Sequence, residues 1–305
     1  MQMLSRIEHF LLVARYGSFS AAARIGNITQ PALTKSVRQL EATLGMELFL
    51  RRSTGVTLTE PGRVFYQRAL QIEATWNTGL TELNLLKKGL GGKLRIGGGP
   101  VYSIVYFPRV MDGLLEAFPG LEIVVSTGAA SELLPALKRG EIICYAGSVP
   151  RPEDGLGREF ETLPLHRQVN ALFVAKDHPL FALDVIRPED LLNYSWLTLF
   201  AANVAASWID SYFSRRNLPN PHVAIQSHSI QIALKMLTDH HFIACMPEPL
   251  AQAFPGSELR EIEVEGVRWE APTGLTYRKS MADFATISMI CRLMKRHAGL
   301  SAANR

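Results

Sequence analysis

The 305-residue chain is poor in the groups that carry covalent, redox or metal chemistry. It has three cysteines, Cys144, Cys245 and Cys291. None stands at the spacing of a metal-binding pair, and all lie in apolar surroundings, so they read as reduced core residues. The GxSxG elbow, the HExxH helix and the phosphate-binding P-loop are absent. No convincing carboxylate pair appears either. His240 and His241 are adjacent and point in different directions on most backbones, so with His228 they make a poor metal set. Catalysis has little support, and no cofactor is expected. No apolar run reaches membrane-spanning length, and Met1 to Leu12 carries Arg6, Glu8 and His9 rather than a signal pattern. These absences predict a cytoplasmic protein that does not enter a membrane. A hydrophobic content of 47% is enough to fill real cores, and the length predicts two or three domains.

Charge is unevenly distributed. Residues 1–92 contain 11 Lys+Arg against 6 Asp+Glu, whereas the rest contains 21 against 22. The positive excess therefore lies wholly in the N-terminal third, as neutralisation of phosphates requires.

That third reads as a helix-turn-helix. Ile7, Phe10, Leu11 and Ala14 form the stripe of a first helix. Ser18 caps a second and Thr29 a third, with Gly26 and Asn27 as the turn between them and Pro31 in the first turn of the third. Leu33, Val37, Leu40 and Leu44 recur at spacings of four, three and four, which marks a buried stripe. Gln30, Thr34 and Arg38 fall on another face, with Lys35 beside them. Amide, hydroxyl and cations at a helix start suit the edges of bases in the major groove, so Gln30, Pro31, Thr34, Lys35 and Arg38 are the expected DNA contacts. Residues 51–59 read as a hairpin whose tip offers Arg51, Arg52 and Thr54 to the backbone or minor groove. The bland alternative is a three-helix packing unit whose cations are merely solvated.

Residues 3–62 closely resemble the N-terminal domain of LysR-type transcriptional regulators. The likeness rests on Phe10, Val13, Ala14, Gly17-Ser18-Phe19, Ala22-Ala23, Gln30-Pro31-Ala32-Leu33, Leu40-Glu41, Leu44-Gly45, Leu48-Phe49, Arg51 and Leu58-Thr59-Glu60-Pro61-Gly62, without a gap. Two departures stand out. Gly26 replaces a bulky apolar residue, which predicts a looser helix end. Thr34-Lys35 replaces the commoner Ser-Arg pair, and lysine lacks the bidentate fork of arginine, which predicts a shifted base preference.

Residues 63–88 read as one helix with Phe65, Ala69, Ile72, Trp76, Gly79, Leu83 and Leu86 on a heptad-like seam. Two-fold pairing along it doubles the DNA site that one short helix can read; packing on its own chain is the alternative. Gly89, Gly91 and Gly92 follow as a hinge. From Lys93 strands and helices alternate: strands at 94–96, 121–125, 142–146, 169–175, 242–246 and 275–277, helices at 110–118, 133–138, 209–213, 230–238 and 284–296. This half also resembles the family, through Leu94-Arg95-Ile96-Gly97, Pro119, Gly140-Glu141 and His178-Pro179-Leu180; Ile143 replaces an aspartate and His240-His241 a glycine. The resemblance implies two Rossmann-like subdomains sharing a cleft, similar to a periplasmic binding protein, with the chain crossing between them twice.

The expected organisation is a winged helix-turn-helix over residues 1–62, a linker and dimerisation helix with hinge over 63–92, and an α/β effector-binding domain over 93–305. Its subdomain I comprises 93–165 and 267–305, and subdomain II comprises 166–266. Ligands of open α/β folds bind beyond the carboxyl ends of strands. That rule selects Gly99, Pro100, Tyr102, Ser103, Ser131, Ser148, Phe200, Asn203 and Ser227, although each serine serves equally well as an ordinary helix cap. These loops hold no lysine or arginine. The expected protein is a ligand-responsive regulator on double-stranded DNA with a dyad-symmetric operator. The seam supports a dimer; the resemblance implies a homotetramer, with RNA polymerase as a further partner. Two rivals are a solute-binding protein, opposed by the basic N-terminus, and an α/β enzyme carrying a DNA-docking module, opposed by the missing catalytic constellation.

Overall fold

The computed structural model describes residues 2–52, 55–86, 92–199, 204–253 and 258–303. The chain divides into two compact units, residues 1–81 with 138–141, and residues 82–137 with 142–305. The expected glycine hinge lies almost wholly outside the described residues, as do Thr54, Phe200 and Asn203.

In the first unit, α1 (Gln2–Tyr16), α2 (Phe19–Ile25) and α3 (Gln30–Leu44) precede a hairpin of β1 (Phe49–Arg52) and β2 (Gly55–Leu58), then α4 (Glu60–Leu86). The predicted caps form: the Ser18 hydroxyl accepts from the Ala21 N–H and the Thr29 hydroxyl from the Ala32 N–H, each at 3.4 Å. Asn27 takes the left-handed conformation at the turn, with φ of 51°. Leu33, Val37 and Leu40 are buried beside Phe10, Leu11, Leu48 and Phe49. Leu44, expected on the same stripe, is exposed, because the helix stops there and Gly45 turns the chain away in the left-handed region. A side chain at Gly26 would meet Leu12 Cδ1 at 3.0 Å and the Ala22 carbonyl at 3.2 Å.

The hairpin is tied down by its neighbours. Glu41 Oε1 accepts from the N–H groups of Leu48, at 2.8 Å, and Phe49, at 3.3 Å, which fixes the exit from α3. The Val56 N–H donates to the Gly17 carbonyl at 2.9 Å. A Cβ on Gly55 would lie 2.6 Å from that carbonyl, so only glycine allows the approach. Gly62 is subject to the same constraint, 2.1 Å from the Leu48 carbonyl, while Thr59 caps α4 by accepting from the Gly62 N–H at 2.9 Å. The Pro61-Gly62 signature is thus a packing requirement at the start of α4. Farther along α4, Ile72, Trp76, Leu80 and Leu83 are exposed. Leu80, next to Gly79, adds to this exposed apolar set.

The second unit is built on one mixed nine-stranded sheet among the described residues. Its elements in order are β3 (Lys93–Gly98), a π-helical turn (Tyr102–Tyr106), α5 (Phe107–Ala117), β4 (Glu122–Thr127), α6 (Ala130–Lys138), β5 (Cys144–Ser148), β6 (Phe160–Ala175), β7 (Trp196–Leu199), α7 (Val204–Ser214), β8 (Val223–Ser227), α8 (Ile230–Asp239), β9 (Ile243–Pro247), α9 (Glu248–Gln252), β10 (Leu259–Ile262), β11 (Trp269–Arg278) and α10 (Ala285–Ala303). The strand order is β4-β3-β5-β11-β6-β9-β7-β8, with β10 also beside β6. β3, β4 and β5 are mutually parallel, as are β7, β8 and β9, and the antiparallel pair β6 and β11 joins the two groups. Ala171 and Phe173 enter one core while Leu172 and Val174 enter the other. Strands buried on both faces read as continuous apolar runs, which is how they were visible in the sequence.

Several expected boundaries shift. β6 spans 16 residues, where the apolar run predicts a strand only at 169–175; its earlier part is mostly half-buried, with Glu161, Pro164 and Arg167 exposed. The strand expected at 142–146 begins at Cys144, and β7, β8 and β10 were not foreseen. Ile143 packs in the core, and His240 has an extended backbone with φ of −141°, so no glycine is needed there. Cys144 and Cys245 are buried and all three thiols are free. Burial pushes the Cys245 thiol up to about 12. No helix among the described residues is long and apolar enough to cross a membrane.

His178 is 1% exposed and packs against Tyr194 with ring centroids 4.5 Å apart. Its Nδ1 accepts from the Leu180 N–H at 3.2 Å, so the ring is neutral with its proton on Nε2. Burial holds its pKa below the ordinary 6.5. The unfolded chain then binds a proton that the folded chain refuses, so stability present at pH 7 and above declines as pH falls through 6.5. His9 and His166 shift in the same direction. The urea midpoint should therefore drop between pH 7.5 and pH 5.5, and a flat midpoint across that window would contradict the assignment.

Candidate DNA interface and effector cleft

On α3, Gln30, Pro31, Lys35 and Arg38 are exposed and Thr34 is half-buried. With Gln39 and Ala42 they line one open depression of about 690 Å³. The face arises because Leu33, Val37 and Leu40 fix the rotation of the helix, leaving the positions between them outward. Ser20 of α2 donates to the Gln30 amide oxygen at 3.1 Å, which leaves the NH₂ group outward as a donor. Neither Lys35 nor Arg38 forms an ion pair among the described residues. Gln39 and Ala42 lie beyond the face expected from the sequence, and the steps from Pro31 to Lys35, Gln39 and Ala42 (four, four and three) carry that face one turn farther. Arg51 and Arg52 lie on β1, paired with Val56 and Gly55 of β2.

The strand-end candidates of the second unit have different surroundings. The Gly99 N–H donates to the Ala146 carbonyl at 2.8 Å, which joins the ends of β3 and β5. Pro100 follows it into the π-helical turn, where Ser103 Oγ donates to the Gly98 carbonyl at 3.0 Å. Ser131 is exposed in the first turn of α6. Ser148 Oγ lies 3.4 Å from the Tyr145 hydroxyl. Ser227 Oγ accepts from the Ser229 N–H at 3.0 Å, and Ser229 in turn caps α8. Ser103 and Ser227 thus bond to local backbone without capping a helix; the cap of α8 is Ser229.

Tyr102 is the most connected of these residues. Its hydroxyl donates to Thr273 Oγ1 at 2.6 Å, and Thr273 Oγ1 donates to the His166 carbonyl at 2.6 Å. Thr273 is also the register partner of Ser148. The pairing of β6 with β11 slips here: Arg167 pairs with Pro272 and Pro164 with Gly274, so Leu165 and His166 together oppose Thr273. This is a β-bulge, which re-aims the side chain of the bulged strand. The π-helical turn does the same for Tyr102 and Tyr106, whose rings stand 5.2 Å apart. Burial drives the Tyr102 phenol well above the ordinary range, so it stays a neutral donor. His166, Thr273, Tyr106 and Tyr145 were missed in the sequence, because a bulge and a π-turn leave no periodic signal.

Comparison with known proteins identifies the whole assembly. The description "Bacterial regulatory helix-turn-helix protein, lysR family" matches residues 4–63, and "LysR substrate binding domain" matches residues 87–298. The chain belongs to the LysR family of transcriptional regulators: it is a DNA-binding regulator with an effector-binding α/β domain, and not an enzyme. It is similar to the HTH-type transcriptional regulator PcaQ of Agrobacterium fabrum, 25% identical over 294 residues, with 96% of this chain and 94% of that protein covered. It is 31% identical to CfxR of Cupriavidus necator over 196 residues, 62% of this chain and 60% of that one. Its fold is that of CbnR, a LysR family transcriptional regulator, with a TM-score of 0.61, 20% identity, and 97% of this chain and 99% of that chain covered.

Thr273→Val keeps the shape but breaks both bonds of the Tyr102–Thr273–His166 connection. Two buried polar groups lose a partner, which should cost about 1–3 kcal/mol in chemical denaturation. An unchanged unfolding free energy would show that the connection does not form.

Proposed function

We propose that α3 docks in the major groove with Gln30, Pro31, Thr34, Lys35 and Arg38 on bases or phosphates, and that Arg51, Arg52 and Thr54 of the wing contact backbone or minor groove. The observation that carries this reading is the outward polar and cationic stripe of α3, held in place by a fully apolar stripe on its opposite side. CbnR has been seen in complex with its target DNA. Pairing of two copies along Ile72, Trp76, Leu80 and Leu83 of α4 gives a dyad-symmetric operator, and two such dimers form a homotetramer. A small-molecule effector binds beside Gly99, Pro100, Tyr102, Ser103, Ser131, Ser148, Phe200, Asn203 and Ser227, in the cleft between lobes 93–165 with 267–305 and 166–266. Effector binding shifts the placement of the DNA-binding domains (residues 1–62, on linkers 63–92) only by binding one arrangement more tightly than the other. The protein acts in the cytoplasm, with RNA polymerase as a downstream partner.

Genome-wide capture of bound fragments, followed by salt titration of the best fragment, tests the reading. Lys35→Ala with Arg38→Ala should weaken operator binding at least tenfold and flatten the dependence on salt, with the thermal midpoint unchanged. Unchanged binding would remove α3 as the recognition helix. Trp76→Glu should convert the dimer to monomer in sedimentation and weaken operator binding in parallel; a dimer that persists would locate the pairing elsewhere.

A further inference from the structure

Ser20 and Gln30 stand in the first turns of two consecutive helices, and both helix starts are firmly placed. Ser18 caps α2 and Thr29 caps α3, while Ala22, Ala23 and Leu33 are buried on the inner sides of the same turns. The backbone at Gln30 is fixed by the Thr29 cap before it and by Pro31 after it. The Ser20 hydroxyl donates to Gln30 Oε1 at 3.1 Å. Both residues are exposed, so this bond between neutral groups contributes little to folding. What it does is orient: the amide oxygen faces α2 and the NH₂ edge faces outward. Lys35 and Arg38, exposed on the same face, are donors only. The outward polar edge of α3 therefore consists mainly of donors.

Resting on the reading of α3 as the recognition helix, we infer that Ser20 is a positioning residue that makes Gln30 a reader of keto bases. In the major groove guanine presents the acceptors N7 and O6, and thymine presents O4. Adenine and cytosine present an amino donor instead, at N6 and N4. A glutamine free to turn pairs best with adenine, its oxygen accepting from N6 while its nitrogen donates to N7. That pairing needs both amide atoms on the outward edge. With the oxygen engaged by Ser20, the outward edge is the NH₂ group alone. It finds an acceptor on guanine or thymine and meets another donor on adenine or cytosine. Docking excludes water from the face, so the Ser20 bond gains strength and an unpaired donor becomes costly. Ser20 thereby sets base preference without touching a base.

The test is selection by the full chain from a library of random-sequence duplexes, followed by competition titrations of the selected duplex with each of the four bases at every position. Gln30→Ala locates the position that Gln30 reads, as the one whose base preference it abolishes. There the unaltered protein should bind guanine or thymine about tenfold more tightly than adenine or cytosine, and the two keto duplexes show which of them is preferred. Ser20→Ala frees the amide to turn and should bring adenine within about threefold of the keto bases. Preferences at the other positions and the thermal midpoint should stay as they were. Ser20→Thr, which keeps the hydroxyl, should keep the keto preference. A merely structural role for Ser20 would weaken all duplexes alike. Three results overturn the proposal: an amino base preferred by the unaltered protein at the Gln30 position, a Ser20→Ala protein with the same preference as the unaltered one, or a uniform loss of affinity in Ser20→Ala. If Gln30→Ala alters the preference at no position, the placement of Gln30 on a base fails as well.

Discussion

The antiparallel pairing of β6 with β11 is the interaction on which the α/β unit depends. The two parallel groups, β3 to β5 and β7 to β9, do not pair with each other; each is hydrogen-bonded to one member of the central pair. A parallel sheet needs cover on both faces, and the helices supply it, burying Phe107, Val110 and Leu237 on one side and Ile209 and Phe213 on the other. Every change in the relative setting of the two groups must pass through these strands. It is therefore significant that the pair is regular along most of its length and slips at one position, where His166 and Leu165 oppose Thr273. The slip is stabilised by hydrogen bonds rather than left loose, with Thr273 donating to the bulged carbonyl and receiving from Tyr102.

The DNA-binding unit follows a different logic. Its rigidity comes from a small aromatic core, in which Phe10 meets Phe49 at 5.2 Å and Phe65 at 5.0 Å, and from close backbone approaches that tolerate only glycine. These contacts fix the rotation of α3 and the attachment of the hairpin to the turn before α2. A recognition surface must hold its donors in register without a partner, and burial of one stripe does that for the other. The α4 face is the opposite case: Ile72, Trp76, Leu80 and Leu83 stand in the open.

Legibility of the sequence divided along the same line. Caps, the Asn27 turn, the Leu33–Val37–Leu40 stripe and the outward Gln30–Lys35–Arg38 face were readable because each depends on residues three or four apart, where local sterics dominate. The ends of elements were less so: Leu44 keeps the period of the stripe but is the last residue of α3, where Gly45 turns the chain away and leaves it exposed. In the α/β unit the buried runs such as Val169–Ala175 were visible, while the half-buried start of β6 was not, since it carries neither a continuous apolar run nor a two-residue alternation.

The sequence by itself determined the class of the protein: a basic helix-turn-helix with its caps and a two-faced third helix, a long helix after it and an α/β domain, all encoded by short-range periodicity and a charge excess confined to residues 1–92. Only the tertiary structure decided which polar groups meet at the strand ends. Tyr102, Ser148, His166 and Thr273 are spread over 171 residues, and their encounter requires two register choices and two backbone irregularities that no local pattern announces. Long-range pairing selects such contacts by the free energy of the whole sheet, so they have no signature at any one position in the chain.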